Sequence, residues 1–463
     1  MATTLVLHGG VVCDSFYQTL RRVTDGERPR VAVILSASSS RTSVRASFFG
    51  TYCERFTHWG FEPVFVPLAI DNYHAIANDA HYVNLVDSCQ AVFLGGGSQA
   101  SHARSLLDDD GAYSPLAEAV RRVMDRGGVV AGNSAGTHVI SNPMYSGGSS
   151  YEALRANGLE PKSITDVPLN ESASSPHNSV SLPGLGLIDK DVLLCTHHDA
   201  RGRLGRLIVG VRDLGTRYGV GIDEETTLVL RGRFGEVSGH CGVFIVEVIE
   251  DTRFSSARAS SREGNPAVFS VSNLRLHYLT AGDKFTFTAG RVMPGPGKRP
   301  ATQPPITPSV ATPCPVAPSP VTPFPVTPFP VTPSLVTSSP EAQAFATDDV
   351  FSRKETKYRA TRVVVSLVNS RSASVNTLAA RPDNPDSAPM DTTTRQLAPG
   401  NLASCKLAPC SPQFQVTFSK DDKTAAYTSD APYSESRSAA HLEGLTKTAV
   451  ESMRVDVGVM PAD

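Results

Sequence analysis

Up to about residue 290 the chain alternates between two hydrophobic periods. Short unbroken apolar runs sit at Thr4–Leu7, Val31–Leu35, Pro63–Val66, Ala91–Leu94, Val129–Ala131 and Val192–Cys195. Between several of them lie stretches in which apolar residues recur every three or four positions: Thr42–Trp59, His81–Cys89, Pro115–Arg126 and Arg203–Leu214. Continuous apolar strands separated by amphipathic helices predict an α/β fold, with a mostly parallel sheet covered on both faces. From Val220 the pattern changes. Thr226–Leu230, Val243–Val248 and Leu274–Leu279 follow one another with turns between them, which predicts an antiparallel extension closing the domain.

The pattern stops at residue 293. Residues 294–342 form a linker built on a five-residue repeat, with units opening at Thr312, Ala317, Thr322, Thr327 and Thr332. Proline fixes φ and removes the backbone donor, so neither helix nor interior strand forms there. An extended, semi-rigid spacer is expected. The same composition suits docking to SH3 or WW domains, the one protein partner class the repeat brings to mind. Residues 343–463 are rich in Ser, Thr, Ala and Asp and read as a largely disordered tail. Within it Arg362–Val368 and Ser452–Val459 are strand-like, giving one or two strands that return to the core.

Composition narrows the function classes. A formal net charge of -2 offers no electrostatic case for nucleic acid or an anionic membrane. No apolar run reaches the length of a membrane span, and the first ten residues lack a basic, apolar leader. The eight cysteines form no C-x-x-C pair and read as reduced thiols in a cytoplasmic protein, not as a disulfide or zinc framework.

The chemistry begins at Gly132-Asn133-Ser134-Ala135-Gly136, which follows the apolar run Val129–Ala131. G-x-S-x-G at a strand's end sets a serine on a sharp turn, its hydroxyl exposed beside backbone N–H groups. A serine nucleophile needs a base, and the base needs an acid to hold its tautomer. Sixty-three residues on, His197 and His198 follow the run Val192–Cys195, at the carboxyl end where open sheets carry ligands. Asp223, Glu224 and Glu225 then sit at another strand boundary, and spacing alone does not choose among them. A metal site from His197, His198 and Asp199 is the minor alternative; no metal or cofactor is called for. The order serine, histidine, carboxylate departs from the α/β-hydrolase order, so His8-Gly9-Gly10 reads as a first strand and turn rather than a lipase oxyanion loop.

The blocks Phe93–Gln99, Val130–Gly136, Tyr145–Gly148, His197–Leu207, Gly221–Thr226 and Leu276–Asp283 resemble, in order, those of cyanophycinase and related S51 serine peptidases. The resemblance covers residues 4–290 and so marks 1–293 as a catalytic domain. It implies a flavodoxin-like sheet related to class I glutamine amidotransferases, and hydrolysis of bonds beside aspartate, β-Asp-Arg polymer included. It makes Ser134 the nucleophile, His197 the base and Glu224 the third member. Gln99, Arg201, Arg203 and Arg206 become substrate-binding groups for an acidic peptide. The N–H of Ala135, with one from Gly96 or Gly97, becomes the oxyanion hole. The family typically has Asp-Gln before its histidine where this chain has Cys195-Thr196, so the chemistry carries over further than the choice of polymer. An esterase or amidase with the same triad, and a silent binding protein keeping the fold, are the alternatives. A homodimer is allowed.

Overall fold

The computed structural model describes residues 3–38, 40–166, 179–255, 269–300, 360–361, 376–380, 414–419, 424–432, 442 and 445–459. The proline repeat and the run Arg362–Val368 lie outside the described residues.

Five of the expected apolar runs become the parallel part of a nine-stranded sheet. They lie in the order Glu62–Val66, Arg30–Ile34, Ala91–Leu94, Val129–Asn133, Thr4–His8. Alternate residues of each strand enter opposite cores. Val6, Val31, Val33 and Phe93 meet Phe16, Leu20, Val44 and Phe56 of the helices Asp14–Val23, Arg41–Ser47 and Cys53–His58. Leu5, Leu7, Ile34 and Leu94 meet Leu106, Leu116, Val120 and Val123 on the other side, from Gln99–Leu106 and Pro115–Asp125. The mixed α/β architecture with helices on both faces is thus as the sequence reads.

The sixth run goes elsewhere. Val192–Thr196 pairs parallel with Tyr218–Ile222, joined by the helix Leu204–Asp213, in a second sheet. The edge it would have needed beside Thr4–His8 is already filled by the antiparallel strand Thr226–Arg231. The second sheet continues antiparallel through Gly242–Glu247 and Val271–Thr280. One face joins the first core through Val192, Leu194, Val220, Ile222, Val243 and Ile245. The other buries Leu193, Phe244, Val246 and Leu276 against Leu207, Ile208 and Val211.

Sequence periodicity leads to one or two returning strands in the tail, and four are described. Thr446–Val459 pairs antiparallel with Val271–Thr280, and it in turn carries Ala425–Pro432 and Phe414–Ser419, with Asn376–Ala380 beyond. The tail reaches the core: Ala360, Ala426, Val450, Met453 and Val455 are buried among Phe244, Tyr278 and Leu207. Lys298 donates to Asp283 in a buried ion pair beside Arg299–Pro300, which pairs antiparallel with Ala425–Pro432. No helix among the described residues is long and apolar enough to cross a membrane.

If the last strand belongs to the same cooperative unit as the second sheet, truncating Met453, which is fully buried, will weaken that whole unit. Met453→Ala should cost about 2–5 kcal/mol and shift the entire urea transition to lower denaturant. An unmoved transition of the parent shape would place the strand outside the cooperative unit.

Candidate active site

Five strand ends meet at one edge. Thr4–His8, Ala91–Leu94 and Val129–Asn133 end there from the first sheet, and Val192–Thr196 and Tyr218–Ile222 from the second. Each is followed at once by residues named above: Gly9-Gly10, Gly95–Gly97, Ser134, His197 and Asp223–Glu225.

Ser134 sits at φ 52, ψ -112, a backbone conformation costly for a side-chain-bearing residue and held here by its surroundings. Its N–H donates to the carbonyl of His8, and its own carbonyl opens the short helix Ala135–His138 by accepting from Thr137 and His138. The turn closes tightly because Gly136 lies against the neighbouring strand. A Cβ there would stand 2.0 Å from the Leu94 carbonyl oxygen. Since the Ser134 N–H is committed, the next amide, that of Ala135, heads the helix where N–H groups lack intrahelical partners.

The hydroxyl of Ser134 lies 2.8 Å from His197 Nε2, and His197 Nδ1 lies 2.8 Å from Glu224 Oε1. His197 leaves its strand at φ 46. That turn sends it to Ser134 while His198 goes inward, fully buried against Phe244 and over Gly221. Of the three carboxylates, Glu224 meets the histidine. Glu225 is turned at φ 55 with its N–H on the Gly10 carbonyl, and Asp223 is buried, accepting from the Asp199 N–H at 2.6 Å. His197, His198 and Asp199 therefore point three different ways and do not converge on a metal.

Burial pushes the His197 pKa down from 6.5 to about 4; the hydrogen bond to Glu224 opposes this, and Arg201 and Arg203 add to it. The imidazole is neutral at neutral pH, with Nδ1–H donating to Glu224 and Nε2 facing the serine hydroxyl. Asp223 is pushed well above the usual carboxylate range by burial and by Asp199 beside it.

Gly96 and Gly97 pass beside the serine: a Cβ on Gly96 would stand 3.5 Å from Ser134 Cβ. Their loop is held by a residue that sequence reading passed over. His102, fully buried, lies 2.8 Å from the Gly95 carbonyl through Nε2 and 2.8 Å from Ser36 Oγ through Nδ1. Burial lowers its pKa to about 4, so it is the neutral ring that braces the loop. The signal was present in principle, since His102 falls on the inward stripe of Gln99–Leu106.

The substrate candidates are spread by depth. Gln99 is buried and its amide donates to the Tyr145 carbonyl at 3.3 Å. Arg203 donates to the Thr196 carbonyl at 2.8 Å. Arg206 is 2% exposed, stacked 4.6 Å over Tyr145 and bonded to the carbonyls of Gly147 and Gly148. Arg201 is half-buried beside His197. Both residues of the Cys195-Thr196 pair are buried: Cys195 Sγ lies 3.6 Å from the Arg206 guanidinium, and Thr196 Oγ1 lies 3.0 Å from Nδ1 of His138. His138, four residues after Ser134, is a second buried histidine that sequence reading missed.

Residues 7–237 match the family model for peptidase family S51. A cyanophycinase of Trichormus variabilis is 34% identical over 212 residues, covering 45% of this chain and 61% of that protein. One of Geminocystis herdmanii is 28% identical over 294 residues, covering 62% and 92%. Among solved structures, a peptidase from an acI-B1 actinobacterium is 20% identical with a TM-score of 0.44, covering 62% of this chain and 98% of that one. The chain spans 61% of the length of the first of these relatives.

Two outcomes follow from the geometry. Because the reactive form of His197 is neutral and its pKa is lowered, Ser134 should keep its reactivity as pH falls below 6.5 and lose it only near 4. The rate of fluorophosphonate labelling against pH reads this, and a limb at 6.5 or above would contradict it. Gly10→Ala would put a Cβ 2.1 Å from His197 Cε1. Displacing the ring should slow labelling by roughly 100-fold while circular dichroism stays unchanged; labelling at the parent rate would show that the loop yields freely.

Proposed function

We propose that this chain, which belongs to peptidase family S51, is a serine-type hydrolase that cleaves an aspartyl peptide bond through an acyl-enzyme on Ser134. The observation that carries the reading is the unbroken relay from Ser134 Oγ through His197 to Glu224, with both contacts at 2.8 Å.

The steps follow from the placement of groups. His197 Nε2 takes the hydroxyl proton as Ser134 Oγ attacks the carbonyl carbon. Glu224 stabilises the imidazolium that forms, and it keeps the ring in the tautomer able to accept that proton. The developing oxyanion is met by the Ala135 N–H together with one from Gly96 or Gly97. His197 then gives its proton to the leaving amine. Water, deprotonated by the same ring, releases the acid and restores Ser134.

Support for an acidic substrate is electrostatic. Arg201 and Arg203 stand near enough to His197 to lower its pKa, while the neighbouring carboxylates Asp199 and Asp223 are buried in hydrogen bonds of their own. A carboxylate beside the scissile bond would enter a site where Arg201 and Arg203 supply positive charge. The relatives named cyanophycinase agree with aspartyl specificity, and β-Asp-Arg polymer is one candidate beside Asp-X dipeptides.

Incubating the purified chain with Asp-X dipeptides and with β-Asp-Arg polymer, and reading the amino acids released, should give turnover on one or both. Ser134→Ala should lower kcat by roughly 10⁶-fold and abolish fluorophosphonate labelling. Peptide turnover that survives Ser134→Ala would sink the mechanism. Labelling without cleavage of either aspartyl substrate would move the reading to an esterase or amidase.

A further inference from the structure

The turn that carries His197 is held from a distant part of the chain. Asp199, two residues after the histidine, is 3% exposed. Its carboxylate accepts hydrogen bonds from the backbone N–H of Ala360 at 3.2 Å and of Thr361 at 2.8 Å. Both donors are buried and lie more than 160 residues away in sequence. Two successive N–H groups on one carboxylate form a small anion-binding nest. Without such donors, a carboxylate at this depth would carry a large desolvation cost.

The backbone N–H of Asp199 faces the segment that carries Glu224. It donates to Asp223 Oδ1 at 2.6 Å, and Asp223 immediately precedes Glu224. Asp199 therefore connects three segments: the turn of His197, the turn of Glu224 and the tail. Within the turn, Arg201 N–H bonds to the His197 carbonyl, Gly202 N–H to the Asp199 carbonyl and Arg203 N–H to the His198 carbonyl, so the loop folds around Asp199 itself. A second tail contact reaches the same loop, where Leu442 packs with Ala200 and Cys241. The two contacts come from tail positions about 80 residues apart, and both lie beyond residues 7–237, the part that matches the family model.

We propose that Asp199 is a positioning residue through which the tail, at Ala360–Thr361, holds the His197 turn in register with Glu224, so that the C-terminal region completes the catalytic unit. Asp199 touches no reacting atom; it acts through the backbone of the turn. The proposal rests on the triad reading given above, and labelling of Ser134 separates the two. If the parent chain does not label, the triad reading fails first. If the parent labels, the clasp can be tested by itself.

The test uses the full chain and approaches the clasp from both ends. Asp199→Asn removes the charge while keeping the shape. Thr361→Pro removes one donor from a residue far from the site in sequence. Each should slow fluorophosphonate labelling and lower kcat by about tenfold or more with KM little changed, and the double variant should be no slower than the slower single one. Variants that melt earlier but label at the parent rate would show a purely structural contact and overturn the proposal. So would additive effects in the double variant. Should a variant fail to fold, native-state hydrogen exchange on the parent reads the same coupling. The amides of residues 360–361 and of 199–203 should open together, with one opening free energy, and separate opening would overturn the clasp.

Discussion

The site depends on a close backbone crossing at Gly9-Gly10, where the two sheets touch. The Gly9 N–H donates to the Thr226 carbonyl, the Gly9 carbonyl accepts from the His197 N–H, and the Gly10 carbonyl accepts from the Glu225 N–H. Two segments, the His197 turn and Glu225–Thr226, are thus hydrogen-bonded to two residues. The approach leaves no room for side chains: a Cβ on Gly9 would stand 1.9 Å from the Asp223 carbonyl oxygen. The Ser134 N–H, on the carbonyl of His8, belongs to the same junction. Nucleophile and base are anchored by their own main chain to one strand end, and the acid through its neighbour Glu225, so their spacing follows from sheet geometry rather than from side-chain packing. Fixed spacing of this kind is what pre-organised catalysis requires.

Around that junction the protein keeps its buried histidines neutral. His8, His102, His138, His197 and His198 are all buried and all shifted down from 6.5, chiefly by desolvation. For such groups the unfolded chain binds more protons than the folded one at pH values below 6.5, so acidification draws the equilibrium toward unfolding. Asp223 is shifted the other way, so it favours the fold at acid pH and withdraws that support as pH rises through its raised pKa. The opposing signs come from one cause, a dry site in which charge is admitted only where hydrogen-bond donors or acceptors meet it.

Much of this was legible beforehand, for reasons that differ residue by residue. Ser134 was legible because a strained strand-to-helix turn tolerates few residues, and those residues form the motif. The five parallel strands were legible because a strand buried on both faces must be apolar throughout. Glu224 was not separable from Asp223 and Glu225 by spacing, since the choice depends on backbone turns at φ values that composition does not reveal. His197 and His198 were ambiguous for the same reason. The membership of Val192–Thr196 in a second sheet was hidden because an apolar run does not say which edge is vacant. His102 and His138 were missed because an inward-facing position does not say what a histidine there bonds, and Asp199 was read only as a minor metal ligand because its partners Ala360 and Thr361 lie more than 160 residues away. In the tail, Ala425–Pro432 alternates too weakly to stand out from its Ser- and Thr-rich surroundings, whereas Phe414–Ser419 alternates strictly and was passed over because the run is only six residues long.

The last strand also bears on the order in which the molecule assembles. Ser452 bonds through its N–H to His277 and through its carbonyl to Arg275, some 175 residues earlier. Closing so long a loop costs about 2 kcal/mol more than closing one of about 20 residues, and that cost falls due before any pairing returns it. Contacts this distant in sequence form late. The strand order within the first sheet can be complete while the turn bearing His197 still lacks its distant anchor, so the chain would pass through a stage that is folded but not yet competent.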